Sequence, residues 1–359
     1  MSHIKNIEIK NFKSIRHAKI EDCRRVNVFI GYPNVGKSNI LEALGLYSIA
    51  SFLKGEYFKF DSICRVKHFS ELFFNQNYRT EASVSINENF GVNISLESTS
   101  TLDLKLGGQN NGKFSNAGDD FIAYKNLYVE QNDMIIKTKS DNIFFPSIES
   151  DFRMPNFSVK KYSFLDNSVV NNTKPLSLGI PYGDNLLEVL QRENQLRKDI
   201  GEVLQMYKLK LLLDTISGSI MLVKEVDEDS VLRIPYHQIA DTLKRLIFYK
   251  AAIQSNKDSV LLFEEPEAHM FPPYIAKFTA DVNYDENKNQ FFIATHSPFV
   301  LNDFMEDLDK ADLAIYAVGY KRETGETIIK KVSDNDIAEI YQYGIDLFFN
   351  LENYLKDAV

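Results

Sequence analysis

The chain has 359 residues, 44% of them hydrophobic and 25% charged, an ordinary balance for a globular protein able to bury a sizeable core. A net charge of −9 excludes a surface coated with nucleic-acid-binding charge, although a local basic stripe stays compatible with it. Apolar runs such as 260–263 and 291–294 are far too short to cross a bilayer, and Met1-Ser2-His3-Ile4-Lys5 has no apolar leader core. The expectation is a cytoplasmic protein with no membrane partner.

Ile7 and Ile9 alternate with polar residues and predict a strand, followed by Asn11-Phe12-Lys13-Ser14-Ile15. A second strand over 26–30 ends at a Gly-rich turn. A helix then opens near Lys37 with Ile40, Leu41, Leu44 and Tyr47 on one face. Between about 82 and 164 the period falls to two, as in Val84/Ile86, Val92/Ile94/Leu96 and Leu102/Leu104/Leu106, which predicts an inserted antiparallel sheet. Residues 107–119, rich in Gly, Asn and Ser, read as an exposed, mobile loop. Helical periodicity covers 184–215 and 236–254. Short apolar strands follow at 260–263 and 291–294, then strands at 313–318 and 327–332 and a helical tail over 334–355. Cys23 and Cys64 fit no zinc or redox spacing.

Gly31-Tyr32-Pro33-Asn34-Val35-Gly36-Lys37-Ser38 matches the phosphate-loop pattern, with a strand before it and a helix after it. Glycines let backbone N–H groups turn inward on phosphates, and the helix N-terminus adds partial positive charge. Lys37 is the point charge for the β- and γ-phosphates, and the Ser38 hydroxyl is a Mg²⁺ ligand. Gly31 to Asn39 are therefore the candidate ATP contacts, with Lys37 expected to face solvent when no nucleotide is bound.

The second motif is Phe263-Glu264-Glu265-Pro266-Glu267-Ala268-His269. A buried strand delivers two adjacent carboxylates: Glu264 for Mg²⁺, and Glu265 to activate the attacking water. The third is Ala294-Thr295-His296-Ser297-Pro298, where a neutral His296 imidazole would hydrogen-bond a γ-phosphate or hold that water.

These three motifs in this order, together with Asn11-Phe12-Lys13-Ser14-Ile15, resemble the ABC-type ATPase heads of SMC, RecF and related proteins. The closest resemblance is to AAA-type ATP-binding proteins of the OLD class in bacterial anti-phage systems. The fold this implies is an α/β P-loop head with an inserted antiparallel β lobe, a short helical region and no long coiled coil. Its parts are 1–80 with the phosphate loop and first helix, 81–170 as the β-rich lobe, 171–258 as a helical region, and 259–359 with the carboxylates, the histidine and the closing strands and helix. The resemblance also implies a head-to-tail homodimer closed by two ATP molecules. Each ATP would meet a signature helix of the other subunit. The usual Ser-x-Gly-Gly is absent here, and Asp241 or Thr242 is the expected helix cap at the corresponding place. Gln76 is a candidate Q-loop residue, and Lys13 lies where related heads carry a basic residue near the nucleotide. The family's first acid is commonly Asp. Glu264, one methylene longer, leads to an expectation of slow hydrolysis.

No paired acidic nuclease motif follows His296. The expectation is a head that gates a separate effector protein, such as a nuclease, with DNA as a further candidate ligand. Two other readings stay open here: a RecF-like ATPase that clamps DNA, and a nucleotide-dependent scaffold with negligible turnover.

Overall fold

The computed structural model describes residues 3–51, 60–88, 90–98, 101–108, 124–130, 136–138, 157–166 and 176–355. Strands β1 (Ile7–Phe12) and β2 (Ile15–Ile20) form a hairpin, and β3 (Val26–Gly31) leads through a short loop into helix α1 (Lys37–Gly45). Strands β4 (Ala82–Ile86), β5 (Phe90–Ser98), β6 (Thr101–Gly108), β7 (Tyr124–Glu130), β8 (Ile136–Thr138) and β9 (Ser158–Tyr162) come next, then helices α2 (Leu186–Arg192) and α3 (Asn194–Gln205). A three-stranded sheet follows, formed by β10 (Leu209–Asp214), β11 (Ser219–Glu225) and β12 (Val231–Pro235). The chain continues through α4 (Asp241–Gln254), β13 (Ser259–Glu264), α5 (Pro272–Asn283), β14 (Gln290–Ala294), α6 (Pro298–Asp307), β15 (Leu313–Tyr320) and β16 (Thr327–Lys331). It closes with α7 (Asp334–Tyr343) and the short α8 (Leu351–Tyr354).

A six-stranded sheet in the order β16-β15-β3-β14-β13-β9 is the frame of the molecule, parallel throughout except for the edge strand β16. Its inner strands are apolar along their length because both faces are covered. The two-residue period deals their side chains to two cores. Phe29, Val260, Leu262, Phe292, Ala294 and Tyr316 join one core with α1 and the antiparallel sheet. Val28, Ile30, Leu261, Phe263, Phe291, Ile293 and Ile315 join the other, under the helices. Phe263 is central to the second core. Its ring lies 5.5 Å from that of Tyr249, 5.8 Å from Phe278 and 6.1 Å from Tyr162.

The α/β P-loop architecture follows the sequence expectation, and its details differ in three places. The antiparallel sheet is not confined to the insertion: its order β2-β1-β4-β5-β6-β7-β8 includes the N-terminal hairpin, through the β1–β4 pairing of Ile9 with Val84. The strand β9 does not belong to that sheet and pairs in parallel with β13. Within the expected helical region, 209–235 is strand. Leu211, Leu213, Ile220 and Ile234 pack from one face of this small sheet against the helical core, so a sequence apolar enough to suit a helix serves a half-buried hairpin. In the expected mobile loop over 107–119, Gly107 and Gly108 end β6, and 109–119 lie outside the described residues. In the tail, Leu347 and Leu351 are buried while Tyr341, Tyr343 and Phe349 are exposed. Among the described residues no helix is long and apolar enough to cross a membrane.

Phe263→Ala removes a fully buried ring from the centre of the aromatic cluster and should cost about 3–5 kcal/mol of unfolding free energy. Denaturant titration followed by far-UV circular dichroism checks this.

Candidate nucleotide-hydrolysis site

The carboxyl ends of β3, β14 and β13 lie side by side, with Ala294 opposite Phe29 on one flank and opposite Glu264 on the other. This register brings the phosphate loop, the carboxylates and the histidine to one edge of the sheet. Open parallel sheets bind ligands there.

The phosphate loop is held by its neighbours. Gly31 has no room for a side chain, since a Cβ would fall 2.3 Å from the Val318 carbonyl oxygen. Gly36 takes φ 103°, a left-handed conformation that favours glycine, and a Cβ there would meet Thr327 Oγ1 at 2.2 Å. The buried Thr327 hydroxyl donates to the Val35 carbonyl at 2.8 Å and lies 2.6 Å from Ser14 Oγ. Asn39 Nδ2 donates to that same Ser14 oxygen at 2.6 Å. A hydroxyl pair from the β1–β2 turn and from β16 thus braces the loop from behind. Val35 is buried, whereas Tyr32, Pro33 and Asn34 are exposed, Asn34 at φ 62°.

Lys37 opens α1 and, contrary to the expectation of a solvent-facing side chain, is buried. Its Nζ donates to the Gly31 and Tyr32 carbonyls at 3.0 and 2.9 Å, because a flexible ammonium takes the loop's own acceptors when they are nearest. Burial pushes its amine down to about 8, against the pull of the Glu265, Glu264 and Glu267 carboxylates.

Glu264 lies in the same alternation as Val260 and Leu262, toward α1, and its Oε1 accepts the Ser38 hydroxyl. The same oxygen receives Arg65 Nη2 at 2.7 Å. Burial works to raise the Glu264 carboxyl. The Ser38 hydrogen bond and the Arg65 and Lys161 charges outweigh it and hold the group below the usual glutamate range. Ser38 and Glu264 are thus hard oxygen donors in contact, a fit for Mg²⁺ shared with phosphate oxygens. Among the described residues no group of three or more His, Cys, Asp or Glu side chains forms a self-sufficient metal cage.

Glu265 follows the strand at φ 43°, which turns its exposed side chain away from the ladder. Its Oε1 lies 3.5 Å from His296 Nε2. Burial and then the Lys37 charge lower the imidazole below its usual value, with Glu265 opposing, which favours the neutral form of His296.

Sequence reasoning missed several residues around this centre. Arg65 bridges Glu264 and the buried Glu42, donating from Nε to Glu42 Oε1 at 2.8 Å. Lys13 meets the other Glu42 oxygen and donates to the Arg65 carbonyl at 3.1 Å, so its charge is engaged one step away from Glu264. A lone basic residue in an irregular stretch and an acid inside a helix carry no pattern, and nothing in the sequence pointed to Arg65 or Glu42. Gln76 is exposed on a short 3₁₀ turn. The expected cap by Asp241 or Thr242 is corrected: Ala240 holds the cap position of α4 without a side-chain bond, Asp241 pairs with Arg245 at 2.8 Å, and Thr242 donates to the His269 carbonyl at 3.0 Å. Both polar side chains have nearer partners than the helix N–H groups.

The family model described as "AAA ATPase domain" matches residues 3–212, and one described as "AAA domain, putative AbiEii toxin, Type IV TA system" matches 129–302. An "ATP/GTP phosphatase" of Helicobacter pylori is 22% identical over 98% of both chains. The "DNA replication and repair protein RecF" of Thermoanaerobacter sp. is 28% identical over 112 residues, which are 28% of this chain and 30% of that protein. Among solved structures, an SMC head bound to the C-winged helix domain of ScpA is 16% identical with a TM-score of 0.48, covering 94% of this chain and 100% of that one. The SMC head domain from Thermotoga maritima is 13% identical with a TM-score of 0.41, covering 92% and 99%.

Lys37→Ala should raise the Kd for MgATP by at least about 10²-fold, the loss of a charge-assisted phosphate contact. Since Lys37 is buried, its melting temperature must be read alongside the calorimetric titration. Thr327→Val keeps the shape and removes the brace. It should weaken ATP binding about tenfold, and Thr327→Ser should restore most of the loss.

Proposed function

The chain belongs to the AAA ATPase domain family, and from that premise we propose that its ATPase chemistry runs on Lys37, Ser38, Glu264, Glu265 and His296. The observation that carries the reading is the contact between Ser38 at the start of α1 and Glu264 at the end of β13, beside the buried Lys37. Lys37 exchanges the Gly31 and Tyr32 carbonyls for the β- and γ-phosphate oxygens, and the N–H groups of the braced loop bind the rest. Ser38 and Glu264 would hold Mg²⁺, which would supply positive charge against that of the phosphates. Glu265 takes the proton of a water whose oxygen forms the new bond to the γ-phosphorus. The bond from that phosphorus to the β–γ bridging oxygen breaks, and the electron pair leaves with ADP. Neutral His296 hydrogen-bonds the γ-phosphate or that water, which its distance from Glu265 supports.

The finer reading is an ATP-gated switch. ATP joins two copies of the chain through the phosphate-loop face, and the closed pair acts on a separate effector protein of nuclease type. The match to an AbiEii-toxin and TA-system domain supports a setting in phage defence, as in the OLD class. A second reading, a DNA clamp, is favoured by the similarity to RecF.

Glu265→Gln should lower phosphate release by about two orders of magnitude or more while ATP still binds. Light scattering of this variant should give twice the chain mass with MgATP and the single-chain mass without it. A mass indifferent to nucleotide removes the ATP-gated dimer. Wild-type turnover in the variant removes Glu265 as the base.

A further inference from the structure

Beyond the carboxylates already placed, Glu267 follows Glu265 by two residues and turns its side chain back to the neighbouring strand end. Its Oε1 accepts two hydrogen bonds from the segment that carries the histidine: Thr295 Oγ1 donates at 2.6 Å and the His296 backbone N–H at 3.1 Å. Thr295 Oγ1 in turn accepts the Ser297 N–H at 2.9 Å, and Ser297 Oγ caps α6. One carboxylate oxygen therefore fixes the backbone of His296 and, through Thr295, the turn that starts the next helix.

The other oxygen, Oε2, is buried and has no hydrogen-bond partner among the described residues. A carboxyl left half-unsatisfied in the interior costs stability. A residue kept for packing alone would be better served by an apolar side chain or a fully bonded amide. Among the described residues no basic side chain forms an ion pair with Glu267, and Lys37 and the like-charged Glu265, both members of the reacting site, interact with it electrostatically. Burial is the main influence on the Glu267 carboxyl and raises it above the usual glutamate range.

We propose that Glu267 is a positioning residue for hydrolysis, holding His296 at its place beside Glu265 by accepting the Thr295 hydroxyl and the His296 N–H on one oxygen. The proposal rests on the reading of His296 given above. Both bonds end on the segment 295–296, and none reaches the phosphate loop. Glu267 therefore acts on the chemical step and not on ATP binding. What it supplies is an acceptor oxygen, so an amide can replace it. A misplaced histidine is the route by which its loss slows turnover, and the amide variant, which lacks the charge but keeps the acceptor, separates this from a loss of charge beside Lys37.

The test is steady-state phosphate release with kcat and KM separated, plus calorimetric ATP affinity, for Glu267→Ala, Glu267→Gln, His296→Ala and the Glu267→Ala/His296→Ala double variant. Glu267→Ala should lower kcat about 10²-fold with KM and ATP affinity unchanged. Glu267→Gln should recover most of that loss. The double variant should be no slower than His296→Ala, since the two residues act as a unit. Thr295→Val, which removes one of the two donors, should also lower kcat at unchanged KM, and it decides the matter if Glu267→Ala does not fold. A silent His296→Ala overturns the reading of the histidine. An impaired His296→Ala beside wild-type kcat in Glu267→Ala and Thr295→Val overturns the role of Glu267 alone. So does a double variant whose losses multiply, or a Glu267→Gln as slow as the alanine.

Discussion

The parallel ladder joining β3, β14 and β13 fixes where each side chain of the candidate site can lie. Phe29, Ala294 and Glu264 stand in one row across the three strands. A shift of one residue in any strand would exchange its two faces, and in β13 it would carry Glu264 away from α1. The register is secured by burial on both sides: the alternating residues of each strand belong to two different cores, so a slip would misplace both sets at once. The site is thus a consequence of how the central sheet is packed.

On that frame the phosphate loop is kept open by contacts from distant parts of the chain. Ser14 comes from the N-terminal hairpin and Thr327 from the edge strand β16, and they meet behind Gly36. The hairpin also begins the long antiparallel sheet. Order at the nucleotide edge is therefore connected to the β lobe through a few hydroxyl contacts. Charge follows a similar chain, from Lys13 through Glu42 and Arg65 to Glu264 and Ser38. Arg65 sits on the same oxygen of Glu264 as Ser38, so whatever binds between Ser38 and Glu264 must share that carboxylate with a guanidinium.

Much of this was legible in the sequence because it rests on short-range pattern. The strand–glycine–helix run at 31–38, the apolar strand before Glu264 and Glu265, and the apolar strand before His296 each declare their surroundings within about ten residues. Their order along the chain was enough to anticipate an α/β P-loop fold. What escaped depends on contacts remote in sequence. Thr327 lies 313 residues from Ser14, and Arg65 lies 199 from Glu264, and no local period reports such meetings. The burial of Lys37 escaped for the same reason, since it follows from the loop carbonyls that fold around its amine. Strand β10 was read as the end of the helical stretch 184–215 because apolar residues in a half-buried hairpin can also satisfy a helical stripe.

The central claim is that Ser38 and Glu264 form a divalent-cation site that is completed by nucleotide. Mn²⁺ titration followed by electron paramagnetic resonance tests it most directly, with ATP present and absent, in the wild type and in Glu264→Gln. The account predicts one Mn²⁺ bound per chain only when ATP is present, and binding at least about tenfold weaker in the variant. Equal Mn²⁺ affinity in the two proteins, or tight binding without nucleotide, would contradict it.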